Sequence, residues 1–193
     1  MTDRYVVIGN PIAHSKSPQI HAQFARQTGQ AMSYERLLAP LDGFVDTVKR
    51  FADSGGRGAN VTLPFKLEAF ALANQLSPTA QAAGAVNTLI FDDGRILGDN
   101  TDGLGLVRDI QANAGIAIAN QRLLLLGAGG AAQGVIQPLL EQSPRSITIS
   151  NRTLSKAEDL VKQFAHPALQ ACALDALDEA DDIVINSTSA GLS

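Results

Sequence analysis

The chain has 193 residues, of which 45% are hydrophobic and 18% are charged, and its formal net charge is -4. This composition supplies enough apolar material for a packed core and excludes a chain that is disordered as a whole. It also lacks the excess of Lys and Arg that nucleic-acid and anionic-membrane proteins use to bind phosphate groups. We therefore expect small molecules as partners, with no nucleic acid and no membrane.

Signals for export, membrane anchoring and metal binding are missing from the sequence. No apolar run approaches the roughly 20 residues of a membrane-spanning helix, and the first residues lead into a strand-like segment rather than a signal peptide. Cys172 is the single cysteine, which excludes an internal disulfide and a cysteine metal cluster. We expect a cytoplasmic protein without a metal site.

The first half of the chain alternates between predicted strands and helices. Ser17 and Pro18 favour a helix start, and Gly29 favours the end of that helix. Hydrophobic spacing predicts strands at 4–9, 33–38 and 58–62, helices at 17–28, 42–54 and from 64 onward, and a hairpin with strands at 86–91 and 95–98. This alternation predicts a mostly parallel sheet covered by helices.

The second half of the chain starts a new series of strands and helices. The patterns predict a helix at about 102–114, a strand at 122–126 that leads into a glycine-rich turn and another helix, and strands at 146–150, 168–174 and 182–186. We place the domain boundary in or near 102–120, with domains at 1–101 and 102–193. A doubly wound dinucleotide domain usually has about six strands, so these four predict a domain that is incomplete, and we favour a truncated form of a longer protein.

The glycine-rich turn fits a dinucleotide-binding pattern. Gly127, Gly129 and Ala132 match G-x-G-x-x-G/A. An ordinary glycine-rich turn can have the same letters, but a strand before it and a helix after it favour a site where backbone N–H groups face a pyrophosphate. The candidate pyrophosphate residues are Gly127, Ala128, Gly129, Gly130 and Ala131.

The end of the next predicted strand indicates which dinucleotide is preferred. NAD proteins commonly carry Asp or Glu there, about 20 residues after the glycines, whereas this chain has Asn151, Arg152 and Thr153. A guanidinium can bind a 2′-phosphate through two hydrogen bonds, and Lys156 adds a positive charge. Arg152 alone would be read as a surface arginine and Thr153 as a helix cap, but together with the fingerprint they favour NADP over NAD.

Lys66 and Asp102 are candidates for acid/base chemistry. Lys66 lies in the first turn of a predicted helix, where a positive charge opposes the helix dipole. A surface lysine tolerates that small cost, but a lysine in this position is also suited to general acid/base catalysis. Asp102 lies at the start of a later predicted helix. It is either the catalytic partner of Lys66 or an acidic residue that only stabilises the N-terminus of its own helix.

Small polar side chains lie at the ends of the predicted strands, the edge at which ligands bind in open α/β sheets. Turn and cap functions are the alternative for each of them. The residues are Ser15, Ser17, Asn60, Thr62 and Asn87. Such a set of hydroxyl and amide groups suits a polyhydroxylated, anionic small molecule.

Seven sequence blocks together resemble the shikimate dehydrogenase family. They follow the family's order along the entire chain and are 9–18 (GNPIAHSKSP), 60–66 (NVTLPFK), 84–88 (GAVNT), 100–103 (NTDG), 127–131 (GAGGA), 151–153 (NRT) and 186–191 (NSTSAG). The resemblance implies an N-terminal α/β substrate domain followed by a Rossmann-type NADP-binding domain. It also implies reversible NADPH-dependent reduction of 3-dehydroshikimate to shikimate, a step toward chorismate and the aromatic amino acids.

The resemblance further implies roles for individual residues. Ser15 and Ser17 would hold the substrate carboxylate, and Lys66 would exchange a proton with the reacting oxygen, assisted by Asp102. The ring hydroxyls would be bound by Asn60, Thr62, Asn87 and Asp102. The cofactor contacts beyond the glycine turn would be Asn151, Arg152, Thr153 and Lys156 at the 2′-phosphate, with Ser155 beside them, and Asn186, Thr188 and Ser189 towards the nicotinamide.

Two alternative functions stay open on the sequence alone. One is a related enzyme that also accepts quinate or uses NAD, although Arg152 speaks against NAD. The other is a non-catalytic ligand-binding fragment, because members of the family continue beyond the point at which this chain ends. A homodimer also stays open.

Overall fold

Two units, each with its own sheet and hydrophobic core, make up the chain in the computed structural model, which describes residues 2–177 and 181–188. The first unit ends at Asn100 and the second begins at Thr101. No helix among the described residues has the length and apolar character needed to cross a membrane. Both units alternate strands and helices, which confirms the predicted α/β class.

The first unit contains the strands and helices that the hydrophobic spacing predicted. Its elements are β1 (Asp3–Gly9), α1 (Ser17–Thr28), β2 (Met32–Leu38), α2 (Phe44–Asp53), β3 (Gly56–Val61), α3 (Lys66–Leu72), β4 (Gln75–Leu76), α4 (Pro78–Ala83), β5 (Thr88–Asp92) and β6 (Arg95–Asp99). The sequence patterns did not indicate β4 and α4, which are too short to show a clear periodicity.

The six strands of the first unit form one sheet in the order β2-β1-β3-β5-β6-β4. Parallel pairs join β1 to β2, β1 to β3, and β4 to β6. Strand β5 runs antiparallel to both of its neighbours, β3 and β6. The sheet is therefore mostly parallel, as predicted, and the reversed β5 begins at the edge where β3 ends.

One face of this sheet packs against α2 and α3. Because side chains alternate along a strand, every second residue of the central strands enters this core, which includes Val6, Ile8, Ala59, Val61, Leu89 and Phe91. Phe44 of α2 stacks on Phe65, the residue before α3, with ring centroids 4.8 Å apart. Both rings are fully buried, so this contact holds the turn that leads to Lys66.

The sequence predicted that the third helix starts at Pro64, but the helix begins two residues later, at Lys66. Pro64 lies in a turn that is closed by a hydrogen bond from the Phe65 N–H to the Thr62 carbonyl (3.0 Å). This turn delays the first helical hydrogen bonds, so Lys66 is the first residue of α3.

Within its described residues, the second unit contains three α-helices and a four-stranded sheet. Its elements are α5 (Asp102–Arg108), a π-helical turn (Asp109–Asn113), β7 (Arg122–Leu126), α6 (Gly130–Leu140), β8 (Ser146–Ser150), α7 (Leu154–Phe164), β9 (Leu169–Cys172), a short 3-10 helix (Leu174–Ala176) and β10 (Ile183–Asn186). All strand pairs are parallel, in the order β10-β7-β8-β9. This order reverses beside β7, as it does in the first half of a doubly wound nucleotide-binding sheet.

Helices α5 and α6 approach each other closely at Gly103. A Cβ atom at this position would lie 2.5 Å from the Gly134 carbonyl oxygen and 2.5 Å from Pro138 Cγ, so only glycine permits the contact. Gly105, on the same helix, is exposed and has open space at its Cβ position. The contact fixes Asp102, which directly precedes Gly103, within the second unit.

We expect Gly103→Ala and Gly105→Ala to change the free energy of unfolding in opposite directions. A methyl group at 103 overpacks the α5–α6 contact, at a cost of about 1–3 kcal/mol. Alanine at 105 meets no neighbour and raises helix propensity by up to about 1 kcal/mol. Urea unfolding followed by circular dichroism measures both changes, and equal effects of the two substitutions would contradict the packing argument.

Candidate active site

The loops that follow β1 and β3 lie side by side at one edge of the first sheet. The Thr62 N–H donates to the Ile8 carbonyl (2.9 Å), and the Asn10 N–H donates to the Leu63 carbonyl (3.0 Å). Gly9 permits this approach, because a Cβ atom there would lie 2.6 Å from Thr62 Cγ2. The candidate residue Thr62 is therefore held at the carboxyl ends of two parallel strands, where ligands bind in α/β sheets.

Asn87 is buried at the same edge, directly before β5. Its carbonyl accepts a hydrogen bond from the Val61 N–H (2.7 Å), and its own N–H donates to the Asp99 carbonyl (3.0 Å). The N–H of the neighbouring Val86 donates to the Lys66 carbonyl (3.0 Å). These backbone bonds hold the turn of Lys66 next to the turn of Asn87.

Ser15 and Ser17 present adjacent hydroxyl groups between β1 and α1. Ser15 Oγ donates to Ser17 Oγ (3.2 Å) and accepts from the Ser17 N–H (3.3 Å). The Arg36 Nε donates to the Ser15 carbonyl (2.8 Å), which ties this loop to β2. Ser17 is the first residue of α1, and Lys16 occupies the cap position. Two hydroxyl donors at this spacing can bind a carboxylate group.

Tyr34 of β2 is a residue of this region that the sequence patterns did not identify. Its hydroxyl donates to Asn60 Oδ1 (2.6 Å). Its ring stacks on His21, with ring centroids 4.0 Å apart. The alternation of side chains along β2 indicates only the face of the sheet on which Tyr34 lies. Because β2 pairs with β1, no local pattern indicates that Tyr34 contacts Asn60 on β3.

Burial favours the uncharged form of both rings. It raises the pKa of Tyr34, against a smaller opposite effect of the nearby Ser17 side chain. The phenol is therefore protonated at neutral pH and acts as the donor to Asn60. Burial also lowers the pKa of His21, which favours the neutral imidazole in the stack.

Asp99, the last residue of β6, is a second residue that the patterns missed. Its carboxylate accepts hydrogen bonds from Ser77 Oγ, from Thr79 Oγ1 (2.7 Å) and from the Asn100 N–H (2.7 Å). Ser77 also caps α4 by accepting from the Ala80 N–H (3.1 Å). Asp99 therefore ties the start of α4 to the segment that leaves the first unit. Burial acts to raise the pKa of Asp99, but the three hydrogen bonds outweigh it and the pKa lies below its ordinary value.

The glycine-rich turn of the second unit joins β7 to α6. Gly127 has a φ of 105°, and a Cβ atom there would lie 2.8 Å from Ser187 Oγ, so both the backbone conformation and the close contact require glycine. The Cβ position of Gly129 has open space around it. Ala132 is fully buried in the core. The three residues therefore match the three functions of the fingerprint positions. Gly127 permits the tight turn, Gly129 leaves room for a ligand, and Ala132 allows the helix to pack closely on the strand.

The ends of β8 and β10 flank this turn. The Gly127 N–H donates to the Ser150 carbonyl (2.8 Å), and the Ser187 N–H donates to the last residue of β7 (2.8 Å). Asn186 Oδ1 accepts from the N–H (3.0 Å) and the hydroxyl (2.7 Å) of Thr188. The structure thus brings the glycine turn together with Asn186 and Thr188, at the point where the strand order reverses. The predicted contact Ser189 lies outside the described residues.

The residues after β8 form a polar and positively charged segment. Asn151 Nδ2 donates to the Thr153 carbonyl (2.9 Å), and Thr153 precedes α7 without a capping hydrogen bond from its side chain. The exposed polar side chains of the segment are Arg152, Thr153, Ser155 and Lys156. No acidic residue occurs between 150 and 156, so the segment suits a phosphate group.

Within 2–177 and 181–188, no group of three or more His, Cys, Asp or Glu side chains is arranged to hold a metal ion.

Comparison with known proteins gives matches in both units. The model of the shikimate dehydrogenase substrate binding domain matches residues 7–89, and the model of shikimate/quinate 5-dehydrogenase matches residues 109–192. The NADP(+) shikimate dehydrogenase of Janthinobacterium sp. (strain Marseille) is 62% identical over 192 residues, which are 99% of this chain and 70% of that protein.

Solved structures show the same similarity in three dimensions. The Ael1 enzyme from Pseudomonas putida is 47% identical with a TM-score of 0.90, covering 99% of this chain and 71% of that chain. The shikimate 5-dehydrogenase of Thermus thermophilus, in complex with NADP(H) and shikimate, is 36% identical with a TM-score of 0.87, covering 97% and 69%.

The fold and the two candidate regions define a class of two-unit α/β proteins in which a Rossmann-type unit follows an α/β unit with a mostly parallel sheet. The sequence matches extend over both units in the same order. The chain belongs to the shikimate dehydrogenase family, which confirms the resemblance found in the sequence.

We expect Asp99→Asn to destabilise the protein at neutral pH and to lose this effect in acid. Because the folded-state pKa lies below the unfolded value of about 3.9, the contribution of the carboxylate is present above that value. It is lost as the pH falls through the folded-state pKa. Urea midpoints of both proteins at about pH 7 and about pH 3 measure the difference, which should shrink in acid.

The control for this experiment is Asp42→Asn, in an exposed loop, which removes the same charge without breaking the Asp99 hydrogen bonds. It should leave the urea midpoint nearly unchanged at both pH values. A destabilisation by Asp99→Asn that is equally large at the two pH values would contradict the role given to the carboxylate.

Proposed function

We propose that this chain is an NADP-dependent oxidoreductase that reversibly reduces 3-dehydroshikimate to shikimate, on the route to chorismate and the aromatic amino acids. The observation that carries this proposal is the 62% identity over 192 residues to a protein named shikimate dehydrogenase (NADP(+)). Because that alignment covers 99% of the chain, it includes both the polar edge of the first unit and the glycine-rich turn of the second.

The second unit carries residues that fit NADP. The open space at Gly129, directly before α6, gives a pyrophosphate access to backbone N–H groups at the helix start. Arg152 and Lys156 supply positive charge for a 2′-phosphate, and Arg152 can bind it through two hydrogen bonds. Asn186 and Thr188, with Ser189, are assigned towards the nicotinamide. NADPH supplies the hydride when it is bound.

The first unit carries most of the residues that we assign to the substrate. The adjacent hydroxyls of Ser15 and Ser17 donate to its carboxylate. The ring hydroxyls are assigned to Thr62 and Asn87, which lie at the ends of neighbouring strands, and to Asn60 and Asp102. Fixing the ring at several points orients the reacting carbonyl, and orientation of this kind lowers the barrier because less freedom is lost in the transition state.

Lys66 is the residue that we assign to proton transfer. As the carbonyl carbon gains a hydride, its oxygen gains negative charge, and a protonated Lys66 stabilises this charge and donates a proton to the oxygen. In the reverse direction Lys66 accepts the proton from the hydroxyl group. Its position as the first residue of α3, beside the turn of Asn87, supports this assignment. We assign Asp102, the first residue of α5, to assist Lys66.

We also propose a cytoplasmic location, because a single unpaired cysteine suits the reducing conditions there. The proposed partners are the substrate and NADP. A homodimer stays a prediction.

We expect Lys66→Ala to lower turnover of shikimate and NADP by about 100-fold to 10,000-fold, the usual contribution of a general acid or base. Absorbance of the reduced nicotinamide measures the rate, and calorimetry measures NADP affinity, which should change little. Lys49→Ala, at an exposed position on α2, is the matched control and should keep full activity. Equal losses of turnover and NADP affinity would contradict the role of Lys66.

We expect Arg152→Ala to raise the KM for NADP by about 10-fold to 100-fold, since it removes charge-assisted hydrogen bonds to the 2′-phosphate. The KM for NAD, which lacks this phosphate, should stay nearly constant. Arg145→Ala is the matched control, because Arg145 is an exposed arginine directly before β8 whereas Arg152 follows this strand. An unchanged ratio of the two KM values would contradict the phosphate assignment.

Measurements of binding and turnover on the unmodified chain distinguish the first function, an enzyme, from the second, a non-catalytic ligand-binding protein. Calorimetric binding of shikimate or NADP without any turnover would support the second function. A comparison of shikimate with quinate in the same assay tests the broader substrate range.

A further inference from the structure

Arg36 of β2 holds the loop that carries Ser15 and Ser17, which we call the serine pair. Its Nε atom donates to the Ser15 carbonyl (2.8 Å), and its Nη2 atom donates to the same oxygen. Because β2 is the edge strand of the sheet, these bonds join the edge strand to the loop that follows β1. Two donors on one acceptor fix the guanidinium beside the first residue of the serine pair.

The positive charge of Arg36 is not neutralised by a neighbouring carboxylate. Among residues 2–177 and 181–188, no Asp or Glu side chain forms an ion pair with Arg36. The adjacent Glu35 lies on the opposite face of β2, because side chains alternate along a strand. Arg36 is exposed, and an arginine keeps its charge at any physiological pH.

The chain around the serine pair contains no acidic residue. No Asp or Glu occurs in 10–34, although the protein has 19 acidic residues and a net charge of -4. This range includes all of α1, whose first turn lacks an acidic side chain even though negative charge is favoured there. A net negative protein repels anions, so the absence of acidic side chains from this segment makes the serine pair more accessible to an anion.

The serine pair itself is uncharged. Ser15 Oγ lies 3.2 Å from Ser17 Oγ, so the two hydroxyls can donate to the two oxygens of one carboxylate. Hydroxyl groups also donate to neutral carbonyls and alcohols, so the pair alone does not distinguish an acid from a neutral compound. Lys16 lies between the serines, but its side chain makes no capping hydrogen bond, whereas two hydrogen bonds hold Arg36.

We propose that Arg36 is a specificity-determining residue of this edge, because its positive charge, held at the Ser15 carbonyl, makes the serine pair selective for an anionic carboxylate group. Its hydrogen bonds go to the Ser15 backbone, so Arg36 acts on the carboxylate through space and is a positioning residue. This inference rests on the proposed function, since it takes the serine pair as the carboxylate site for shikimate.

Three substitutions of Arg36 separate its charge from its hydrogen bonds. Arg36→Lys keeps a positive charge, Arg36→Gln keeps an uncharged N–H donor for the Ser15 carbonyl, and Arg36→Met keeps neither. Lys16→Gln removes the cation between the serines.

The matched control is Arg26→Gln, which changes the net charge of the protein by the same amount as Arg36→Gln. Arg26 is an exposed residue in the last turn of α1, roughly 14 Å from Ser17 along the helix axis. This distance exceeds the Debye length of about 8 Å at physiological salt. Arg26→Gln should therefore behave as the wild type.

The measurements use the full chain at low and high salt, about 0.05 M and about 0.5 M sodium chloride. Calorimetry gives the shikimate Kd, and steady-state kinetics give kcat and the KM values for shikimate and NADP. Thermal unfolding checks that each variant is folded.

Arg36→Gln and Arg36→Met should each raise the Kd and KM for shikimate about threefold to tenfold at low salt, the range expected for a partly screened charge near the carboxylate. Arg36→Lys should lose much less affinity. The kcat and the KM for NADP should change little, because Arg36 bonds neither the turn of Lys66 nor the second unit. High salt should weaken shikimate binding more in the wild type than in Arg36→Gln, since salt screens the charge.

Wild-type affinity of Arg36→Gln would overturn the inference, because the hydrogen bond to Ser15 would then suffice without the charge. A loss in Arg36→Lys as large as in Arg36→Met, or a larger loss in Lys16→Gln than in Arg36→Gln, would also overturn it. If the neutral variants fold poorly, the wild type tests the charge by itself, and a shikimate Kd that does not change with salt would contradict the inference. A wild-type chain that binds no shikimate at either salt concentration would instead contradict the proposed function.

Discussion

The reversed direction of β5 is the constraint on which the polar edge of the first unit depends. Because β5 runs antiparallel to β3, its start lies beside the end of β3, where the Asn87 carbonyl accepts from the Val61 N–H. A parallel β5 would begin at the opposite edge, far from the turn of Lys66. The hairpin with β6 then returns the chain to the first edge, so Asp99 and Asn100 also lie there.

Hydrogen bonding offsets the cost of burying so many polar groups at this edge. Asn87 and Asn100 are 8% and 3% exposed, and a buried amide without partners destabilises a fold. Asn100 Nδ2 donates to the Ala85 carbonyl (3.0 Å), and Asp99 accepts three hydrogen bonds. The resulting edge is oriented before any ligand arrives, so its donors need little reorganisation during binding or catalysis.

The second unit builds its candidate site from backbone more than from side chains. Gly127 permits the tight turn after β7, Gly129 leaves open space before α6, and the parallel strands place their carboxyl ends together. Such features leave a local mark in the sequence, because spaced glycines between an apolar strand and a helix form a recognisable pattern. For this reason the turn and the strands around it were predicted correctly, whereas the π-helical turn after α5 leaves no such mark.

Local signals were sufficient for the α/β class, for the longer strands and helices and for the family, because apolar periodicity, glycines and short motifs lie within a few residues of each other. They did not identify Tyr34 or Asp99 as part of the polar edge. Tyr34 forms a hydrogen bond with Asn60, 26 positions away along the chain, and Asp99 forms one with Ser77, 22 positions away. Alternation along a strand indicates only the face of a side chain. Its neighbours on that face depend on the order and direction of the other strands, which are set when the whole sheet assembles.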